Sequence, residues 1–320
     1  MSITTLIPSE IEKAARRLNG IVNKTPVMQS RTLNTQCNAQ IFIKCENYQR
    51  VGAFKFRGAY NVLSQLSEPQ KQAGVVTHSS GNHAQGIALA GKLLGIQTTI
   101  VMPDNAPAVK KEATADYGAN IVLCPGAERE AVTQALVEKD EFTFVHSYDD
   151  DNLIAGQGTA AFELLQEVGE LDYLFAPVGG GGLISGTALA AAHIYPNCQV
   201  IGVEPANAAD ANQSWRENQI ITFPDIPNTI ADGLRVRYIG QRNLEIMRCY
   251  LADMMTTTEE EIIETLKFVW SRMKIVIEPS AAVPLAPIFS GNFKPKGKRV
   301  GVIFSGGNVD FGMMEQFFKA

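Results

Sequence analysis

Short apolar, β-branched runs alternate with helical stretches along most of this chain, and that alternation restricts its fold more than any other feature. IFIKCE (41–46), GVVTHSS (74–80), TTIVMP (98–103), NIVLCP (120–125), TFVHSY (143–148), YLFAPVGG (173–180), QVIGVEP (199–205) and KRVGVIFSGG (298–307) read as strands. Several lack polar alternation, as expected of parallel strands covered on both faces. Between them, HAQGIALAGKLLG ends at Gly95 and PAVKKEATADYG at Gly118, glycines where helices commonly stop. Ser9 with Glu12 is a capping-box pattern opening a helix whose Ile11, Ala14, Ala15 and Leu18 share a face and which Gly20 ends. Thr258 with Glu261 repeats the pattern ahead of Ile262, Leu266, Val269 and Met273. The spacing predicts the α/β class with parallel sheets. At 320 residues the chain exceeds what one core usually supports, so two lobes are expected. No linker or repeat divides it, so the chain is expected to leave one lobe and return to it.

Charge and cysteine content remove several classes of function. The net charge is −5, and lysines and arginines are spread thinly, so no nucleic-acid surface or anionic-membrane anchor is expected. The five cysteines, Cys37, Cys45, Cys124, Cys198 and Cys249, are scattered without a C-x-x-C. That argues against a disulfide framework or a zinc site and for a reducing compartment. The first twenty residues lack the pattern of a signal peptide, and no apolar run is long enough to span a bilayer, so a cytoplasmic location is expected.

Ligands of open parallel sheets sit outside the carboxyl ends of the strands. Three stretches fall there: SSGNHAQG (79–86), APVGGGGLISGTALA (176–190) and FSGGNVD (304–310). Four glycines between an apolar strand and an Ala-rich helix let backbone N–H groups converge on a phosphate, aided by the helix N-terminus. No lysine opens that helix, so this is not a Walker P-loop. A nicotinamide-dependent oxidoreductase is the rival reading. Gly180, Gly182 and Gly186 give G-x-G-x-x-x-G, and Glu204 ends the next strand about where a ribose-binding acid stands. That rival has the third glycine one residue late and leaves the Ser/Asn loops unexplained. It also leaves unexplained Lys55, set between Phe54 and Phe56 in YQRVGAFKFRGAY. A single phosphate with an amine-reactive aldehyde accounts for all of these.

Taken in order, GAFKFRGA, SSGNHAQG, IAGQGT, PVGGGGLISG and SGGNVD resemble the fold-type II pyridoxal phosphate (PLP) enzymes, and among them the threonine/serine dehydratase–serine racemase branch. The similarity runs from about Pro26 to Asp310. It implies two doubly wound parallel-sheet domains of the tryptophan synthase β type, with the cofactor in the cleft between them. Residues 1–52 and 149–320 would form the large domain and 53–148 a small mobile one. By this resemblance Lys55 joins PLP covalently, Phe54 lies against its ring and Asn82 meets its phenolic oxygen. Gly179, Gly180, Gly181 and Gly182, with Leu183, would cradle the phosphate, and Ser305 would meet the pyridine nitrogen. A hydroxyl there does not stabilise a protonated pyridinium, which suits expulsion of a β-substituent.

The implied activity is an ammonia-lyase turning L-serine, L-threonine or a related 3-hydroxy amino acid into a 2-oxo acid and ammonia. Serine racemisation, threo-3-hydroxyaspartate dehydration and a non-enzymatic PLP-binding module are the alternatives. Lys55 would be the base for the Cα proton. Ser79, Ser80, Gly81, Asn82 and His83 would offer donors to the substrate carboxylate, with Arg129 in GAERE, Arg235 and Arg237 as further candidates. Ser80 stands where dehydratases of the family commonly carry alanine and racemases carry their second acid/base, so racemase activity stays open. Glu204, the Ala208 carbonyl and Asp210 match a divalent-cation site of that branch, and oxygen ligands suit Mg²⁺, Ca²⁺ or Mn²⁺. His78, His146 and His193 show no ligand spacing and read as structural. A homodimer or tetramer is expected. The chain stops soon after SGGNVDF, so feedback through an appended regulatory domain is not expected, while a nucleotide effector at a subunit interface stays open.

Overall fold

Ten strands sort into two sheets in the computed structural model, which describes residues 7–106, 108–310 and 312. The larger sheet runs β1-β2-β10-β7-β8-β9. Its strands are β1 Val27–Met28, β2 Gln40–Cys45, β7 Tyr173–Pro177, β8 Gln199–Pro205, β9 Asp253–Thr257 and β10 Arg299–Phe304. The smaller runs β5-β4-β3-β6, from β3 Val75–His78, β4 Thr98–Pro103, β5 Asn120–Cys124 and β6 Thr143–Phe144. All four strands of the smaller sheet fall between β2 and β7 in the chain, so the chain leaves the larger sheet and re-enters it. The unalternating runs are buried as expected: β7, β8 and β10 lie in the middle of the larger sheet and lose nearly every side chain from solvent.

The sheets depart from the sequence reading in three places. One edge is antiparallel, with Val27 opposite Lys44 and Met28 opposite Ile43. Of TFVHSY, only Thr143–Phe144 is strand, and residues 145–148 turn away toward the other sheet. The strand in YLFAPVGG stops at Pro177. Helix capping splits as well. Thr258 and Glu261 form the reciprocal box, the threonine hydroxyl accepting from the Glu261 N–H at 3.3 Å and the glutamate accepting from the Thr258 N–H at 3.0 Å. Ser9 does not cap: Pro8, with φ already near −51°, takes the cap position and pulls Ser9 into the first turn of helix Ser9–Leu18.

Helix Asp151–Val168 organises what surrounds it. Asp150 caps it through Leu153 N–H, and from Leu153 to Leu165 every residue but Glu163 is buried. It crosses helix Lys55–Leu63 at Gly156 and Gly58, where a Cβ on Gly156 would stand 2.7 Å from the Gly58 Cα. It crosses helix Gly182–Ile194 at Gly158 and Gly186, where a Cβ on Gly158 would stand 2.5 Å from the Gly186 carbonyl oxygen. Beside the first crossing lies a buried charge network. Arg57 grips Glu46 (Nε 2.7 Å, Nη2 2.9 Å) and Glu163 (Nη1 2.8 Å, Nη2 2.9 Å), and Lys44 reaches Glu163 at 2.7 Å and the Thr25 carbonyl at 2.8 Å. Arg57, Glu46 and Lys44 are fully buried, so each charge depends on the others.

Replacing Gly156 with alanine adds helix propensity of about 1 kcal/mol at an interior helix position. A net loss can therefore come only from the crossing. We expect Gly156→Ala to cost about 1–3 kcal/mol in urea unfolding, and Gly126→Ala, whose Cβ would meet nothing closer than 3.7 Å, to stay within about 0.5 kcal/mol of wild type.

Candidate active site

The carboxyl ends of β2, β7 and β10 lie side by side in the larger sheet, and those of β3 and β6 in the smaller sheet lead toward them. Beyond β2 the chain turns through Val51, at φ 55°, and Gly52, at φ 69°, before helix Lys55–Leu63 begins. A left-handed valine costs about 1–3 kcal/mol. It is held by Asn308, whose Nδ2 donates to the Val51 carbonyl at 2.7 Å, and by Gly307 N–H on the Gly52 carbonyl at 2.9 Å. SGGNVD thus fastens the turn that aims Lys55. Ser305, buried directly after β10, accepts the Phe54 N–H through its carbonyl at 2.9 Å.

Lys55 Nζ donates to the Ser147 carbonyl at 2.8 Å and sits 5.2 Å from the centre of the Phe54 ring. The residue is half-buried. Desolvation of the ammonium brings its pKa down to about 8, against an opposing pull from the Glu278 carboxylate. Near neutral pH this amine therefore holds an appreciable neutral fraction, which an exposed lysine does not.

The tetraglycine loop is packed, unlike a solvent turn. A Cβ on Gly180 would fall 2.1 Å from the Tyr148 ring, and Gly181, at φ 99°, backs onto Asn243 with only 2.6 Å for a Cβ. Gly180 through Leu183 are buried at the N-terminus of helix Gly182–Ile194, whose first-turn N–H groups have no intrahelical acceptor. With the amine of Lys55 on one side, these residues fit an anionic aldehyde held at both ends.

Asn82 opens helix Asn82–Leu94 after the Ser79–Ser80–Gly81 turn. Its Nδ2 donates to Glu278 at 3.0 and 3.2 Å, and its Oδ1 accepts from Asn308 Nδ2 at 2.8 Å. Gly81 N–H donates to Ser79 Oγ at 3.3 Å, and Ser80 is half-buried between them. His83 is buried and held neutral, burial and the nearby Lys55 charge pushing its pKa well down. His146 acts structurally. Its Nδ1 accepts the N–H groups of Tyr148 at 3.2 Å and Asp149 at 2.8 Å, shaping the loop that carries Ser147, and burial brings its pKa to about 4. His193 lies apart, 3.4 Å from Glu12. Arg129 is at the surface with its Nε on the Gly126 carbonyl at 3.0 Å, yet near enough to His78 for its charge to add to burial in lowering that pKa. Arg235 and Arg237 bond the carbonyls of Pro227 and Phe223.

Glu278, Ser147 and Tyr148 entered this site without being singled out in the sequence. The EPS tripeptide at 278–280, an acid directly before a proline-started helix, was the available signal for Glu278; Ser147 acts through its backbone and left none. The ribose-acid reading of Glu204 is overturned. Its side chain is fully buried, and its two oxygens accept the N–H groups of Ala211 at 3.1 Å and Asn212 at 2.7 Å. Next to it both Asp210 carboxylate oxygens are buried with no hydrogen-bond partner. Burial pushes both carboxyls up, Asp210 to about 7 and Glu204 well above its ordinary value with a further rise from Asp210. Ala208 ends the short turn between the two acids. Among the described residues no cluster of three or more His, Cys, Asp or Glu side chains is placed for a metal ion, so a cation here would use these two acids, a carbonyl and water. No helix among them is long and apolar enough to cross a membrane, and all five cysteines are free.

The family pattern described as pyridoxal-phosphate dependent enzyme matches residues 18–306. A serine racemase of Schizosaccharomyces pombe is 46% identical over the full length of both chains. An L-threo-3-hydroxyaspartate ammonia-lyase of a Pseudomonas species is 48% identical over 94% of this chain and 95% of its own. The crystal structure of serine racemase from Dictyostelium discoideum superposes with a TM-score of 0.91 at 41% identity, covering 96% of this chain and all of the other.

The depressed amine has a measurable consequence. Only neutral amine attacks an aldehyde, so PLP incorporation into apoprotein, trapped with borohydride, should rise with pH around a midpoint near 8. An exposed lysine would give about 10.4. Glu278→Gln removes the carboxylate that favours the ammonium and should move the midpoint lower still; a midpoint unchanged from that of a surface lysine contradicts this description.

Proposed function

The chain belongs to the pyridoxal-phosphate dependent enzymes, and from that premise we propose that it catalyses α,β-elimination of a 3-hydroxy amino acid to a 2-oxo acid and ammonia. The observation that carries this reading is the Lys55 amine, brought to about 8 and held by the Ser147 carbonyl beside the tetraglycine loop. PLP, when bound, supplies the electron-withdrawing system that makes loss of the Cα proton accessible. Lys55 would hold it, and Lys55 Nζ, once free, is the base that takes the Cα proton, its lowered pKa matching that task near neutral pH. N–H groups of Gly179–Gly182 and Leu183 would bind the phosphate at a helix N-terminus. The Ser79–Asn82 turn, at the N-terminus of helix Asn82–Leu94, offers donors to the substrate carboxylate. The Ser305 hydroxyl would face the pyridine nitrogen, an uncharged partner that suits departure of the β-hydroxyl. The likeness to an L-threo-3-hydroxyaspartate ammonia-lyase supports 3-hydroxyaspartate beside serine and threonine as substrates.

Serine racemisation is the second reading, favoured by Ser80 and by the serine racemase relatives. Racemisation needs a base on each side of Cα, and Ser80 would supply the second. The deciding experiment follows 2-oxo acid from L-serine, L-threonine and L-threo-3-hydroxyaspartate, together with D-serine formation, in wild type, Lys55→Ala and Ser80→Ala. Lys55→Ala should lose all turnover and the visible absorption of lysine-bound PLP. Ser80→Ala should lose D-serine formation about 100-fold or more while retaining elimination. Equal loss of both products in Ser80→Ala removes the second base; no 2-oxo acid from any of the three removes the main reading.

A divalent cation at Glu204, Asp210 and the Ala208 carbonyl belongs to the same proposal, supported by the two unpartnered oxygens of Asp210. Mg²⁺, Ca²⁺ or Mn²⁺ at about 100 times its Kd should then stabilise the fold by about 2.7 kcal/mol, and EDTA should reverse that. Asp210→Asn should abolish the cation-induced rise in Tm. A wild type whose Tm ignores all three ions and EDTA contradicts the site.

A further inference from the structure

Asn243 lies fully buried in the first turn of helix Gln241–Tyr250, behind the tetraglycine loop and not itself among the residues expected to touch cofactor or substrate. Its Nδ2 donates to the Tyr148 carbonyl at 2.9 Å and the Gly180 carbonyl at 3.0 Å, with Asp149 Oδ1 a further acceptor at 3.4 Å. Three acceptors facing one group fix the amide's orientation, because turning it would set oxygen against oxygen. Around it three more hydrogen bonds tie the same segments. Asp149 accepts the N–H groups of Gln241 at 3.1 Å and Arg242 at 3.0 Å, and Gly240 N–H donates to the Gly180 carbonyl at 3.2 Å.

The significance lies in what these carbonyls adjoin. Tyr148 follows Ser147, whose carbonyl holds the Lys55 amine, and Gly180 is the second glycine of the tetraglycine loop. A continuous path therefore runs from Lys55 Nζ through Ser147 and Tyr148 to Asn243 and on to Gly180. We infer that Asn243 is a positioning residue that sets the distance between the Lys55 amine and the tetraglycine loop. This rests on the proposal that Lys55 and the loop hold the two ends of one PLP molecule. A ligand anchored at both ends gains from a fixed span, because the second contact forms without further loss of freedom. A ligand anchored at Lys55 alone gains nothing from it.

That asymmetry gives the test. PLP and pyridoxal share the aldehyde but differ by the phosphate, so the ratio of their Kd values for apoprotein reads how well the loop cooperates with Lys55. In Asn243→Ala the ratio of pyridoxal Kd to PLP Kd should fall about tenfold, the size expected when buried hydrogen bonds are lost, with pyridoxal binding changed less than about twofold. Asn243→Thr, which keeps a donor and more of the buried volume, should fall between and serves if the alanine variant does not fold. Thr258→Ala, which removes the distant capping box, should leave the ratio at the wild-type value while lowering apoprotein Tm. An unchanged ratio in both Asn243 variants, or equal weakening of both ligands, overturns the inference and leaves Asn243 a purely structural residue. A wild type that binds PLP no better than pyridoxal sinks the cradle reading and this inference together.

Discussion

Two places where helix backbones touch almost without intervening side chains hold the site in register. Helix Asp151–Val168 meets the lysine-bearing helix through Gly156 and Gly58, and the helix after the tetraglycine loop through Gly158 and Gly186. One rigid element thus sets the position of both proposed anchors. Such contacts have no tolerance: a methyl group at Gly156 or Gly158 would overlap backbone atoms, which cannot rotate away as a side chain can. The Arg57 network adds direction to this closeness. Arg57 shares a helix with Lys55, two residues on, and bonds to carboxylates from both flanking segments, so rotation of that helix would strip a buried guanidinium of its partners. Breaking a buried ion pair by removing one side typically costs about 3–5 kcal/mol.

On that frame the chemistry needs few groups. The lysine amine is lowered by burial and restrained by one carbonyl, while Glu278 works against the lowering and also binds Asn82. Glu278 therefore touches both the electrostatics of the proposed base and the orientation of the amide expected at the cofactor's phenolic oxygen. Three histidines gather nearby, and burial keeps them in the uncharged form, so Lys55 is the principal cation of its surroundings.

What could be read from the sequence was whatever is written contiguously. Strand, glycine loop and helix follow one another at Pro177–Gly182, and the aromatic flanks of Lys55 are its immediate neighbours, so the parallel α/β architecture was legible and both proposed anchors could be named. The partners that complete the site come from far along the chain. Ser147 is 92 residues from Lys55, and Glu278 is 196 from Asn82. Ser147 acts by its backbone, which any residue type could supply. Asn243 looks like an ordinary polar residue of a helix until its acceptors are seen. Segment 145–148 was misread because β-branched and aromatic residues also suit a loop that must pack against a glycine turn. Ser9 failed as a cap for a local reason, the preceding proline having started the helix first.

The order of strands in the larger sheet has a consequence for how the protein is made. Its central strand β10, between β2 and β7, is the last among the described residues, and its pairing with β2 joins residues about as far apart as Gln40 and Arg299. The smaller sheet closes over contacts between residues 75 and 144 alone. On the ribosome the smaller sheet has all its strands long before the larger one does, and β2 waits with an open apolar flank until Phe304 emerges. Nascent chains are thus exposed to aggregation over most of their synthesis, a hazard that arises from strand order and not from composition.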